Sequence, residues 1–408
     1  MNLAGLRSHN AALVLNLLRT AGDEGISRLE LAERTGLTPQ AVSKITARLR
    51  DEGLAADAGR RASTGGKPRT LLRLIPGAAH AVGLHLDRDE LTGVLVDLAG
   101  VTVAVRVEPL DLGAGADAVM DAAARVVADL RSLGGGMGGA GRADADARGG
   151  MGVAGRADAD ACGGMGFAGP ADVRGGMGVA GSADVRGGRA VLGVGVAMPG
   201  PLDHVAGVPH RVTGFPQWDG FPLRDALDGR LRLPVVLDKD TNAAALGLAL
   251  RAGRAAGSFA YLHLGTGLGA GLVLGGTLHR GARTGAGEFG HQTVQLDGPP
   301  CDCGGRGCLE ALCLAAVARG DLHEAARVLG TGAANLVGLL DIDRVLLGGR
   351  IVTAAPDPFV RGVGAVLAER ARRGGGGGPA VPVAAVDGSP HPVAEGAALL
   401  VLAPVFGL

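Results

Sequence analysis

Three cysteines within eight positions, Cys301, Cys303 and Cys308, follow His291 along the chain. Three thiolates and one imidazole make a complete tetrahedral donor set for Zn2+, and Gly304, Gly305 and Gly307 let the backbone turn tightly around an ion. Four protein ligands leave no open position for a metal-bound water, so the expected role is structural. Reduced, metal-free thiols are the alternative, and the clustering disfavours it. Two other stretches have the composition of phosphate cradles. Gly265-Thr266-Gly267-Leu268-Gly269-Ala270-Gly271 lies between two apolar runs, where backbone N–H groups could face a phosphate, although tight hairpins want the same glycines. Gly348-Gly349 is a weaker case. Asp240, beside Asn242, has the chemistry of a general base for a hydroxyl; standing alone it is more safely read as a helix N-cap or a solvated carboxylate.

Elements of an α/β fold must position these groups. LPVVLDKDTNAAALGLALRAG reads as a strand and a helix, AYLHLGTGLGAGLVL as strand, turn and strand, and AVGLHLDRDELTGVLVDLAG as a β-hairpin. Residues 117–133 form an amphipathic helix, 314–340 are mostly helical, and the C-terminal GAALLVLAPVFGL closes with a helix. Near the N-terminus, Leu13, Leu17 and Leu18 stand at helical spacing within residues 8–21. Ser27-Arg28-Leu29-Glu30 has the form of a capping box, and Thr38-Pro39 that of an N-cap followed by proline at the first helical position. Val42, Ile45 and Leu49 face inward from this last helix, which Gly53 ends. Helix, short helix, tight turn and capped helix make a helix-turn-helix. Residues 54–74, two short strands around Arg60-Arg61 and Gly65-Gly66-Lys67-Pro68-Arg69, make its wing.

Composition narrows the class. The 408 residues are enough for several domains, and no run approaches the roughly 18 apolar residues of a membrane span. No signal peptide is evident, and five cysteines, an odd number, argue against a disulfide framework; a cytoplasmic protein is expected. Net charge is zero, yet residues 1–75 hold 12 basic and 7 acidic side chains, so a basic head precedes an acidic body. Of the 74 glycines many fall in 134–188, where GGMG recurs from Gly135, Gly149, Gly163 and Gly175. That segment reads as a disordered repeat insertion, with Cys162 incidental to it.

GVGVAMPGPLD, LDKDTNAAALG, LGTGLGAG, GEFGH and CDCGGRGCLE, in this order, resemble the ROK family of repressors, open reading frames and sugar kinases. The resemblance covers nearly the whole chain outside 134–188. It implies a winged helix-turn-helix over 1–75, then a two-lobed, actin-like sugar kinase fold over 80–133 and 189–408. It further implies zinc on His291, Cys301, Cys303 and Cys308, and a sugar pocket lined by Asp240, Asn242, Glu288, His291 and Glu310, with Asp240 at the position of the kinase base. Kinases of the family carry Asp-x-Gly-Gly-Thr-Lys in the first hairpin, where ATP phosphates sit; here His85-Leu86-Asp87-Arg88-Asp89-Glu90 stands there. Three carboxylates facing a triphosphate should repel it, at about 4 kcal/mol for two unit charges ~4 Å apart in a dielectric of about 20. Asp240 would then be a vestigial base and the chain not an enzyme.

The N-terminal region resembles the repressor branch. Thr38, Gln40, Ser43, Lys44 and Arg48 would face DNA from the second helix of the motif, and Lys67 and Arg69 from the wing. The expectation is a sugar-responsive, DNA-binding transcriptional regulator, a repressor of carbohydrate-metabolism genes. Its partners would be an operator duplex and a sugar or sugar phosphate, in a homodimer or higher oligomer without membrane contact. Two alternatives stand beside it. One is a sugar kinase with an appended DNA-binding domain. The other is an effector-independent DNA-binding protein with a decayed pocket, favoured by the missing sugar-contacting Asn before Trp218 and by a shortened stretch after Leu309.

Overall fold

The computed structural model describes residues 9–61, 69–136, 190–373 and 379–408. The repeat segment and Cys162 therefore lie almost wholly outside the described residues, as does Lys67 of the wing. The head begins with α1 (His9–Ala21), whose Val14, Leu15 and Leu18 are buried. Strand β1 (Ile26–Ser27) leads into α2 (Arg28–Thr35) through the capping box: Ser27 Oγ accepts the Glu30 N–H at 3.3 Å, and Glu30 Oε2 accepts the Ser27 N–H at 2.9 Å. Gly36, left-handed at φ 69°, ends α2. Thr38 then caps α3 (Pro39–Asp51) by accepting the Ala41 N–H at 3.2 Å. Val42, Thr46 and Leu49 are the buried face of α3, with Ile45 half-buried beside them. Strands β2 (Ala55–Arg61) and β3 (Arg69–Leu74) pair antiparallel, and β1 joins the far edge of β3, giving the order β1-β3-β2. Three helices and a small sheet carrying a hairpin make a winged helix-turn-helix.

The body holds two five-stranded sheets built on one plan. In the first, β4 (Ala79–Leu86), β5 (Glu90–Asp97) and β6 (Thr102–Pro109) form an antiparallel meander. After helix α4 (Ala116–Gly136), β7 (Ala190–Met198) pairs parallel to β4; after α5 (Leu223–Leu231), β10 (Val235–Lys239) pairs parallel to β7. A two-strand ribbon, β8 (Leu202–Asp203) with β9 (Val208–Pro209), lies between them. Helix α6 (Asp240–Ala252) crosses to the second sheet, which repeats the plan. There β11 (Phe259–Leu264), β12 (Leu268–Leu274) and β13 (Thr277–His279) are the meander, and β14 (Arg344–Gly348) and β15 (Val383–Ala385) the parallel additions. Helices α7 (Leu309–Ala318), α8 (Leu322–Leu340), α9 (Arg350–Ala354) and α10 (Pro356–Arg373) connect them, and α11 (Pro392–Leu402) follows. The repeated order, three antiparallel strands followed by two parallel crossovers, is the basis of the two lobes.

Helices α6 and α11 run between the sheets and approach them where side chains are absent. A Cβ on Gly83 or Gly195 would run into the carbonyls of Ala394 and Ala397 of α11, and one on Gly271 into the Thr241 carbonyl of α6. Backbone therefore packs on backbone around the cleft. Among the described residues no helix is long and apolar enough to cross a membrane.

Candidate functional site

Strand β10 delivers Lys239 and α6 begins at Asp240, so both side chains arrive at the mouth between the sheets. There Asp240, Glu288, His291 and Glu310 line one solvent-open cleft, together with Asp87, Arg88, Lys239 and the turn Thr266-Gly267. Four of the five expected sugar-pocket residues are thus brought together. Asn242 is not among them. In the first turn of α6 it is buried behind the cleft, its Nδ2 donating to Asp238 Oδ1 at 2.8 Å. Its neighbours explain the placement, because Asp238 needs compensation where it lies buried, and Arg280 supplies the rest from 2.7 Å. Thr213, in the segment where the family's Asn is missing, offers a hydroxyl at the cleft wall.

Each cleft carboxylate has a different environment. Glu310 Oε2 accepts the Leu268 N–H at 2.8 Å, fixing it over the glycine-rich turn. Glu288 Oε1 lies 3.0 Å from Lys239 Nζ, which also donates to the Ala286 carbonyl. Lys239 is buried, and a lysine between Asp238 and Asp240 reads in the sequence as a solvated charge, so sequence reading missed it. Asp240 accepts the Thr241 N–H at 2.6 Å. Burial pushes its carboxyl up to about 7, with Asp87 and Glu288 adding to the rise and the Thr241 N–H and Lys239 opposing it. A carboxyl poised there can both accept from and donate to a hydroxyl near neutral pH. Behind the glycine-rich turn, burial pushes His263 down to about 4, and its Nδ1 meets the Tyr261 hydroxyl at 2.9 Å.

The acidic turn between β4 and β5 behaves differently from its sequence reading. Of its three acids only Asp87 lines the cleft. Asp89 turns to Arg350, 3.0 Å away, and Glu90 accepts the Thr92 hydroxyl at 3.0 Å. Burial raises the Asp87 carboxyl, but His85, the Arg88 N–H and the Thr266 hydroxyl outweigh it and hold the group below its usual range.

On the far side of His291 the cysteines converge. The ligating atoms of His291, Cys301, Cys303 and Cys308 all lie within 4.8 Å of one another. Cys303 Sγ is 3.8 Å from Cys308 Sγ, and Cys301 Sγ is 3.8 Å from His291 Nδ1. A tetrahedral ion with Zn–S bonds of about 2.3 Å would separate its sulfurs by roughly 3.8 Å, so the donor set fits such an ion. The loop is shaped for it: Gly304 N–H donates to the Cys301 carbonyl and Cys301 N–H to the Gly305 carbonyl, both at 2.9 Å, and Gly305 N–H points at Cys303 Sγ from 3.4 Å. Cys308 stands at the N-terminus of α7, two residues before Glu310, so the knot and the cleft share their scaffold.

In the head, Thr38, Gln40, Ser43 and Lys44 are exposed along the start of α3. Arg48 lies one turn on, 3.8 Å from Glu52, and Arg69 is exposed at the base of the wing. The Thr38 hydroxyl is already occupied as a cap. Arg28 Nε donates to Thr46 Oγ1 at 3.2 Å, a link between α2 and α3 that spacing alone does not reveal.

Sequence comparison matches residues 182–319 to the ROK family and residues 13–55 to a winged helix-turn-helix DNA-binding unit. The glucokinase of Thermotoga maritima is 43% identical over 133 residues, covering 32% of this chain and 42% of that protein. The xylose repressor of Bacillus subtilis is 24% identical over 289 residues, 70% of this chain and 61% of the repressor. The kanosamine kinase of Amycolatopsis mediterranei is 34% identical over 214 residues, 44% of this chain and 68% of the kinase. The chain thus spans less than two thirds of the first two relatives. A solved ROK family transcriptional regulator, a homologue of the E. coli MLC protein, superposes with a TM-score of 0.68 at 19% identity, over 99% of this chain and 98% of that one. Two lobes on one plan, a cleft ringed by the family's acids, a knot of one histidine and three cysteines, and these matches lead to one conclusion: the chain belongs to the ROK family and carries an N-terminal winged helix-turn-helix.

Proposed function

We propose that the protein is a sugar-responsive transcriptional regulator of the cytoplasm, a repressor that binds operator DNA as a homodimer or higher oligomer and has no kinase activity. The observation that carries this reading is the physical union of a DNA-binding head with a sugar-kinase cleft. Helix α1 and the C-terminal helix share one hydrophobic core, in which Val14, Leu15 and Leu18 meet Leu399, Leu402 and Phe406. The xylose repressors among the relatives and the regulator fold support it. In this reading Asp240, Glu288, His291 and Glu310 take sugar hydroxyls, while Asn242 acts from behind by holding Asp238. Gln40 and Ser43 read base edges, and Lys44, Arg48, Lys67 and Arg69 hold phosphates. Zn2+ on His291, Cys301, Cys303 and Cys308 would fix the loop that carries His291 toward the cleft, a structural service. A sugar that changes the spacing of the two sheets would move the heads of an oligomer out of register with two half-sites.

Glucokinases and a kanosamine kinase among the relatives favour the second reading, a kinase with a DNA-binding head. Thermal unfolding of the zinc-loaded protein against monosaccharides and sugar phosphates, with and without ATP, separates the two. A sugar at 100 times its Kd adds about 2.7 kcal/mol. A shift with one sugar, independent of ATP, is the expected result, accompanied by release of a DNA fragment selected by the protein. Sugar-dependent ATP turnover abolished by Asp240→Asn would establish the kinase. Silence across the panel from a protein that still selects DNA would establish a decayed pocket.

A further inference from the structure

Two glycine-bearing turns of the second sheet, both with the composition of phosphate cradles, are held by carboxylates from the first. Thr266, in the turn between β11 and β12, donates its hydroxyl to Asp87 Oδ1 at 3.0 Å. Arg350, which follows Gly348-Gly349 at the end of β14, places Nη1 3.0 Å from Asp89 Oδ2. Both acids belong to the single turn between β4 and β5, so one turn of the first sheet grips two turns of the second across the cleft. A hydroxyl and a guanidinium at glycine-rich turns are donors suited to phosphate oxygens. Here their acceptors are built into the chain.

The gripping turn is itself well braced. Asp87 Oδ1 also accepts the Arg88 N–H at 2.7 Å, and the Asp87 N–H donates to the Glu90 carbonyl at 2.9 Å. The far end of the turn it holds through Thr266 adjoins the sugar side of the cleft. The Leu268 N–H, two residues after Thr266, is the donor that fixes Glu310. Glu310 also crowds Gly267 so closely that a Cβ there would lie 3.0 Å from Oε2.

We propose that Asp87 and Asp89 form a latch between the two sheets, in which protein carboxylates take the bridging place of nucleotide phosphates and hold the cleft at its working width without ATP. The replacement of a glycine turn by acids then does two things at once: it removes the room for a phosphate, and it supplies the anions that Thr266 and Arg350 would otherwise seek. Asp87, Asp89, Thr266 and Arg350 are positioning residues, and the latch does not depend on which sugar the cleft takes.

Hydrogen–deuterium exchange on the full-length protein tests it at residues 86–91, 264–268 and 348–352. The Asp89–Arg350 pair is about half exposed, at 58% and 48%. Asp89→Arg and Arg350→Asp should therefore each speed exchange in all three segments by roughly 1.5- to 5-fold, the range of an exposed pair. The combined swap should return exchange toward wild type, and excess MgATP should alter none of the three segments in wild type. The latch is overturned if the swap exchanges as fast as the single variants, if the effect stays within the mutated turn, or if MgATP protects these segments. Should a charge-reversed variant fail to fold, Asp89→Asn decides: unchanged exchange at 264–268 and 348–352 would sink the proposal.

Discussion

Asp240 shows most sharply how a side chain can cost stability in the service of a site. Its carboxyl titrates near 3.8 in the unfolded chain and about 7 in the fold, chiefly through burial. Between those values the folded form holds a proton that the unfolded form has lost, so stability falls as pH rises from about 4 to 7 and stays low above that. Asp240→Asn removes the charge and keeps the shape. It is expected to stabilise the protein by on the order of 1–3 kcal/mol at pH 8, by less at pH 5 and not at all near pH 4. Urea unfolding of both proteins at matched pH values measures the difference, and a gain independent of pH would remove the burial argument. His263, pushed down to about 4, works in the other direction: its neutral form in the fold loses stability as pH falls below 6.5. Over about pH 4 to 6.5 the two shifts act in opposite directions and largely cancel, so the Asp240→Asn comparison is needed to isolate the carboxyl.

At the scale of elements, caps and glycines were the readable part and compensations the unreadable part. Ser27, Glu30, Thr38 and Pro39 do in the fold what their types and spacing require, because capping is local chemistry. The Cys-x-Cys-x4-Cys knot was legible for the same reason: its three cysteines are close in sequence, and only His291 comes from a distance. Asn242 follows Asp240 by two positions on α6, so the helix turns it away from the cleft side and against Asp238. The Asp87–Thr266 and Asp89–Arg350 links join residues far apart in the chain, and no local pattern announces them. The knot also carries an element-scale prediction. It ties the loop after His291 to the start of α7, through the Thr293–Cys308 and Pro300–Arg306 bridges. Chelation under reducing conditions is expected to release one Zn2+ per chain and to lower stability by on the order of 3 kcal/mol or more. Atomic absorption with calorimetry reads both. A metal-free chain with an unchanged melting temperature would return the knot to three reduced thiols beside a histidine.

For the whole molecule the question is how the cleft can reach the DNA-binding head, and packing offers a continuous route. Helix α6 starts at Asp240 and lies against α11, where Gly396 abuts the Ala243 carbonyl and Arg251 pairs with Glu395 at 2.6 Å. Glu395 also accepts the Thr102 hydroxyl at 2.7 Å, so α11 is pinned to the first sheet as well. Beyond α11 the chain turns once and buries Phe406 against the head, with the Arg19 guanidinium 5.1 Å from the ring centroid. Leu72 and Leu74 of the wing and Val94 and Val96 of β5 belong to the same core, so head and first lobe should unfold together. Phe406→Ala would remove the largest apolar side chain at that junction, at a cost of about 3–5 kcal/mol. Because the lost side chain bridges two bodies, the variant is expected to show two calorimetric transitions where wild type shows one. The new low-temperature step should match the melting of the head followed by exchange at α1 and α3. Sugar should then still stabilise the upper transition but no longer alter DNA affinity. One undivided transition in Phe406→Ala, with DNA release by sugar intact, would mean that the signal travels by the wing and β5 instead.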